Sequence, residues 1–277
     1  MSRKEIESSQ LGKKTAYFDK YNPNLLYPIS RIPQENSVKM YGYDLWHLYE
    51  LSWLNPKGKP EVAIGNIAYD ASSKKLIESK SLKLYLNSFN NSVFDDFSSV
   101  QNTIEKDLSN ALELPVMAKL WGLNENARIV SPEGVCIDNY DVEIESYDFD
   151  HRTGVLSDLV EGDTEVYESL YSNLLRSNCP ITGQPDWGTV IVDYRGRKMS
   201  HKKLLEYIIY YRNHNDFHEH CIESIYSEIL MHCRPSKLRV YAQYTRRGGI
   251  DINPYRSTEM DFSMDEVVND RTRLIRQ

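Results

Sequence analysis

The sequence predicts an α+β fold of two tandem ββααββ halves, with antiparallel sheets and helices packed on one face. Three observations predict it. Strand-like runs occur in pairs bounded by turn residues. Each pair precedes two stretches of helical apolar spacing. The same order occurs twice in 277 residues.

Residues 1–35 are polar and carry Pro23, Pro28 and Pro33, so an extended arm is expected. Strands are predicted at 44–54 and 61–69, around the turn Asn55-Pro56-Lys57-Gly58. Leu82, Tyr85, Leu86 and Phe89 fall at i, i+3, i+4 and i+7, the stripe of an amphipathic helix. A second helix is expected over 98–112, then strands at 116–123 and 141–149. An acidic stretch around 150–165 reads as a solvated connector. The second half repeats the order, with strands at 167–176 and 187–194 and helices at 200–211 and 217–232. In the latter, Ile222, Ile225, Ile229 and Leu230 make the apolar stripe, and strands at 238–244 and 249–253 close the unit.

A gapless overlay of 78–96 on 201–219 pairs Lys80 with Lys203, Leu82 with Leu205, Asn90 with Asn213 and Phe94 with Phe217. With the repeated order it argues for duplication, dividing the chain at 1–150 and 151–277. The two halves keep different polar residues. Asp95 and Asp96 stand where the second half has His218 and Glu219, and His201 and Leu204 where the first has Glu78 and Ser81. One composite site built from both halves is therefore expected, within one chain or across a dimer.

The balance of 33 basic against 40 acidic residues, a net charge of −7, argues against broad nucleic-acid binding. No apolar run approaches the ~20 residues of a membrane span, and residues 1–14 lack the apolar core of a secretory signal. A cytoplasmic location follows as an expectation. Cys136, Cys179, Cys221 and Cys233 form no CxxC pair and read as reduced thiols.

Four segments carry chemistry. In Asn178-Cys179-Pro180-Ile181-Thr182-Gly183-Gln184-Pro185-Asp186, two prolines and a glycine shape a rigid loop before a strand. A thiol of ordinary pKa about 8.5 needs activation to attack at neutral pH, and Asp186 is near enough to supply or take the proton. A buried core thiol beside a turn-forming aspartate fits the same spacing. In Asn213 to Cys221, Asp216 is a suitable helix N-cap. His218 and Glu219 then lie in the first turn, where a carboxylate is favoured and its two oxygens suit the N–H edge of a guanine-like base. Plain capping is the alternative. A metal on His218, His220 and Cys221 is disfavoured, since i, i+2 and i+3 do not line one helical face. Glu78-Ser79-Lys80-Ser81 opens a helix with hydroxyls and amines available to phosphate. Arg246-Arg247-Gly248-Gly249 sets two guanidiniums beside a flexible turn, suited to a dinucleotide phosphate or to a solvated strand end. No GxGxxG, P-loop, GxSxG or HExxH occurs, so a nicotinamide dinucleotide here would not bind in the Rossmann manner.

Together, Glu78 through Tyr85, Cys179-Pro180 with Gln184-Pro185-Asp186, Asn213 through Glu219, and Arg247-Gly248-Gly249 resemble the NADPH-dependent 7-cyano-7-deazaguanine reductases, the nitrile reductases of queuosine biosynthesis. The resemblance covers nearly the whole chain and fits the long, duplicated form. It implies the tunnelling fold, in which ββααββ units pair into barrels, and a homodimer acting on the free base rather than on tRNA. It also implies Cys179 as nucleophile forming a thioimide, Asp186 as proton donor and His218 handling a later proton. Glu78, Ser79, Lys80, His218 and Glu219 would hold the base. Lys80, Ser81, Arg247 and Gly248 would contact NADPH, used twice per turnover, with no metal. A zinc-dependent cyclohydrolase and a non-catalytic purine-binding protein of the same fold are the rival readings. The first lacks a convincing metal set, and the second has no need of Cys179 with Asp186.

Overall fold

The computed structural model describes residues 17–31, 39–125 and 127–277. Residues 1–16 and 32–35 of the expected arm lie outside the described residues. Within it, a 3-10 turn at Pro23–Leu25 precedes strand β1 (Pro28–Ser30). The first half continues with β2 (Tyr41–Leu54), β3 (Pro60–Asp70), β4 (Lys75–Ile77), α1 (Ser79–Asn87), α2 (Phe97–Leu112) and β5 (Val116–Trp121). Short strands β6 (Arg128–Val130) and β7 (Val135–Cys136) and helix α3 (Arg152–Ser157) lead to β8 (Val160–Ser172). Then come β9 (Arg176–Asn178), β10 (Pro185–Met199), α4 (His201–Ile209), α5 (His218–Cys233), β11 (Lys237–Tyr244) and β12 (Ile250–Ser257). Helix α6 (Met264–Asn269) and β13 (Thr272–Leu274), neither of them anticipated, end the chain.

The fold is α+β, as expected. Its main sheet has nine strands in the order β5-β3-β2-β12-β11-β10-β8-β7, with β9 added against β10. β2 and β12 join the halves antiparallel, with Ile250 opposite Leu48 and Ser257 opposite Tyr41. Period-2 alternation sorts the faces. Trp46 and Leu48 pack with Leu82, Tyr85 and Leu86 of α1 and Ile104 and Leu108 of α2. Val190, Val192 and Val240 pack with Leu204 and Leu205 of α4 and Ile222 and Ile225 of α5. Leu45, one residue from Trp46, instead meets Val267 and Val268 of α6. The helices are thus not confined to one face.

Two expectations fail locally. The predicted strand at 141–149 is irregular chain ending in a 3-10 turn at Phe149–His151. Val142 and Ile144 alternate with Asp141, Glu143 and Glu145 as in a strand, but the segment has no ladder partner among the described residues, and most of its residues are exposed. The acidic connector at 150–165 is not a linker. It holds α3 and the start of β8, and Val155, Leu156 and Leu159 enter the second-half core. Three apolar anchors among acidic neighbours outweigh the composition, because burial is decided side chain by side chain.

A buried ion cluster ties the arm to both halves. Arg31 pairs with Asp44 of β2 at 2.6 Å and with Glu223 of α5. Arg256 of β12 pairs with Asp44 and with Glu223, both at 2.8 Å. Both guanidiniums hold the Asp44 carboxyl below its ordinary value against the burial that would raise it.

Candidate active site

Cys179 sits in the tight connection between β9 and β10. Its N–H donates to Gln184 O at 2.8 Å, and its carbonyl accepts from Gly183 N at 3.0 Å. The residue before it is braced from outside: Asn178 N donates to His214 O at 2.8 Å, and Asp216 N donates to Asn178 O at 3.2 Å. The chain carrying the thiol is thereby stitched to the segment that opens α5. Asp216 does not cap that helix. Phe217 is the N-cap and offers no side-chain acceptor. Asp216 Oδ1 instead accepts from Phe217 N at 2.8 Å and from His220 Nδ1 at 3.0 Å. Burial would raise its carboxyl, but His214, His220 and the Phe217 N–H hold it far below the ordinary range. His218 and Glu219 begin the helix as predicted.

The turn between β11 and β12 supplies the opposite wall. Arg247 N donates to Ile250 O at 2.9 Å and Ile250 N returns a bond to Arg247 O at 3.2 Å, closing a two-residue loop. Gly248 and Gly249 have φ of +60° and +80°, the backbone of a type I′ hairpin that glycine alone adopts without strain. The Arg247 guanidinium donates to Asp186 and, at 2.7 Å, to Gln184 Oε1. Lys83 of α1 donates to Gly248 O.

These walls enclose a cleft of about 460 Å³. From the second half, Cys179, Asp186, His218, Glu219, Arg247 and Gly248 line it. Ser79 and Lys80 reach it from the start of α1 in the same chain. Glu78 and Ser81 are not among its lining residues. Glu78 is the N-cap of α1, its carboxylate accepting from Lys80 N at 2.7 Å and Ser81 N at 2.8 Å. The Lys80 and Ser81 backbone N–H groups at that helix start are therefore already engaged. Ser81 Oγ donates to Glu78 O at 2.7 Å and accepts from Tyr27 N at 3.0 Å, securing the arm. Glu78 is fully buried, and burial raises its carboxyl above the ordinary value against the helix N–H bonds that lower it.

Charge is distributed unevenly across the cleft. Asp186 is 4% exposed, with Oδ2 3.7 Å from His218 Nε2. Burial would raise its carboxyl, but His218 and Arg247 together hold it below the ordinary value. At neutral pH it is a carboxylate. Glu219, 2% exposed, is shifted the other way by burial and by the Asp44 charge. His218 packs on the Tyr244 ring at 4.0 Å between centroids. Trp46 and Phe217 also line the cleft; sequence reasoning singled out neither, because a lining aromatic and a core aromatic share one pattern. No group of three or more potential metal ligands occurs among the described residues.

A half-exposed thiol, a buried carboxylate and an imidazole thus share one cleft with the side chains of Lys80 and Arg247. Residues 17–120 match the family model for the N-terminal part of the nitrile reductase 7-cyano-7-deazaguanine reductase, and residues 185–261 match that of QueF-like proteins. The NADPH-dependent 7-cyano-7-deazaguanine reductase of Azoarcus sp. is 48% identical over 274 residues, 96% of each chain. That of Legionella pneumophila (strain Lens) is 48% identical over 91% of this chain and 90% of its own. That of Coxiella burnetii (strain CbuK_Q154) is 50% identical over 93% of this chain and 94% of its own. The chain belongs to the 7-cyano-7-deazaguanine reductase family.

Proposed function

We propose that this protein reduces the nitrile of 7-cyano-7-deazaguanine to the aminomethyl group, using two NADPH and a thioimide on Cys179, in queuosine biosynthesis. The observation carrying this is that Cys179, Asp186, His218 and Glu219 share one cleft with Ser79, Lys80 and Arg247 of the same chain.

Asp186, held ionised, takes the Cys179 proton as sulfur adds to the nitrile carbon, then returns it to the nitrile nitrogen. The carbon–sulfur bond forms, one C–N π bond breaks, and a thioimide results. NADPH, when bound, would supply the hydride for both reductions, of the thioimide and of the imine left when the carbon–sulfur bond breaks. Asp186 and His218, 3.7 Å apart, handle the protons of the later steps. Glu219 accepts from the N–H edge of the base, while Ser79 and Lys80 contact it and Glu78 orders them from behind. The residues fit the coenzyme: Lys80 and Arg247 offer cations, and the Gly248-Gly249 turn lets backbone approach closely. Ser81 contributes through the helix start it holds. Closure of the cleft keeps the imine from water.

The same reading takes 1–150 and 151–277 as two tunnelling-fold units that pair into barrels in a cytoplasmic homodimer. In support, α1 and α4 are both nine residues long, and α2 and α5 both sixteen.

Intact-protein mass spectrometry with 7-cyano-7-deazaguanine and no NADPH tests the function. The expected result is an adduct of the full base mass on the wild type and none on Cys179→Ala. A folded wild type that binds the base without adduct overturns the reading in favour of a purine-binding protein.

A further inference from the structure

A second cleft, of about 320 Å³, opens on the face of the sheet that carries α6. It is lined by His47 and Tyr49 of β2, Asn66 of β3, Trp121 of β5, and Arg271 and Arg273 at β13. Nothing in the proposed reaction uses it. Its polar groups are unbalanced in a particular way. The guanidiniums of Arg246 and Arg273 stand 4.3 and 5.8 Å from the centroid of the Tyr49 ring. Neither forms an ion pair among the described residues, so one ring gathers two guanidiniums outside any ion pair.

The carboxylates nearby are already engaged. Asp251 accepts from the Tyr49 hydroxyl at 2.7 Å and from Asn253 at 2.6 Å, and lies 2.8 Å from His47 Nδ1. Glu125 is held by Arg271 at 3.1 Å. Two buried nitrogens are left without partners, His47 Nε2 on a side chain 6% exposed overall, and Arg273 Nε. Buried polar atoms are normally paired, and guanidiniums outside any ion pair can take up an anion.

We propose that this cleft binds a phosphate group. Arg273 of its lining and Arg246, which stands over the same Tyr49 ring from outside the lining, grip the phosphate, with His47 Nε2 as a further partner. The phosphate has two possible sources, and the structure connects the cleft to one of them. Arg246 and Arg247 are neighbours, yet Arg247 faces Asp186 while Arg246 faces Tyr49. Tyr49 N also donates to Gly249 O at 2.9 Å. The glycine turn thus lines the first cleft at Gly248 and is bonded at Gly249 to Tyr49 of the second, and a dinucleotide held at Arg247 and Gly248 can pass its 2′-phosphate across it. That arm rests on the reductase reading; binding of a separate phosphorylated ligand does not.

Calorimetric titration of the full chain with adenosine 2′,5′-bisphosphate, 5′-AMP and inorganic phosphate separates the sources, comparing wild type with Arg246→Gln/Arg273→Gln. If the bisphosphate binds at least about tenfold tighter than 5′-AMP, competes with NADPH, and loses that advantage in the variant, the site takes the coenzyme's 2′-phosphate. If inorganic phosphate binds without competing with NADPH and is weakened at least about tenfold in the variant, the site takes a separate ligand. No binding to wild type, or equal binding to both proteins, overturns the proposal. Formation of the Cys179 adduct by the variant checks that it is folded. Should it fail that check, Arg246→Gln alone changes an exposed side chain and carries the same comparison. Because the adduct needs no coenzyme, loss of the adduct in wild type defeats the reductase reading and leaves phosphate binding to be judged separately.

Discussion

His218 Nε2 stands 3.7 Å from Asp186 Oδ2, while the other carboxylate oxygen is taken by Arg247. Burial raises the Asp186 carboxyl, but His218 and Arg247 hold it below its ordinary value, so in the proposed mechanism it starts as the base that takes the thiol proton. Asp186→Asn is expected to slow adduct formation by about 10²–10⁴-fold. Because the Asp186 carboxyl titrates below its ordinary range, the wild-type rate at saturating base should fall only under that range. Arg247→Met removes one lowering charge and should move the acid limb to higher pH. Quenched-flow mass spectrometry across pH reads both effects.

Glu219 carries the opposite shift, raised by burial and by Asp44. Base binding that needs its carboxylate should weaken as pH falls through this raised pKa, above the ordinary glutamate value. Glu219→Gln should bind the base roughly 10- to 100-fold more weakly, the range for a lost charged hydrogen bond, and show no such pH dependence. The sign for stability is reversed. A carboxylate with a raised folded pKa disfavours the folded state above its unfolded pKa, so Glu219→Gln should unfold at higher urea than wild type at neutral pH. Fluorescence titration and urea melts measure the pair.

Glu223 neutralises Arg31 and Arg256 in the buried cluster. Asp44 is the other carboxylate of the cluster, so removing Glu223 leaves two buried guanidiniums sharing a single negative charge. Glu223→Ala should therefore cost about 3–5 kcal/mol of folding stability, read as a lower urea midpoint at unchanged slope.

Gly249 and Gly248 both have positive φ, but only Gly249 is crowded. A Cβ there would lie 2.4 Å from Glu50 Cδ, against 3.2 Å from Lys83 Cδ at Gly248. Each alanine should cost roughly 1 kcal/mol or more from the backbone, and Gly249→Ala should cost more. Glu50→Ala should recover only the excess. A double-mutant cycle in urea tests this.

Ser79 and Lys80 meet Cys179 within one chain. Mixing inactive Cys179→Ala with inactive Glu78→Ala should therefore restore no turnover. Activity in the mixture, assayed as NADPH oxidation, would place the halves of the site on different chains.

Much of this was legible locally. The strands around Asn55-Pro56-Lys57-Gly58 and the helices after Glu78 and Phe217 follow from short-range periodicity and lie within a few residues of their predicted bounds. The loop bearing Cys179 is written in its prolines and glycine, and the Arg247 turn in two adjacent glycines. The sequence by itself also supplied the candidates for chemistry, since thiol, carboxylate and imidazole are properties of residue types.

Tertiary structure decided what those residues face. Glu78 and Ser79 are neighbours, yet one carboxylate is spent on the helix N-terminus and the other side chain reaches the cleft. Asp216 looked like a cap and serves His220 instead. Val155, Leu156 and Leu159 sat in an acidic stretch and became core. The opposed shifts of Asp186 and Glu219 depend on Arg247, His218 and Asp44, partners distant in sequence for the most part. Local periodicity encodes which element forms. Burial and charge pairing depend on strands, such as β2 and β12, brought together from opposite ends of the chain, and no short window contains both.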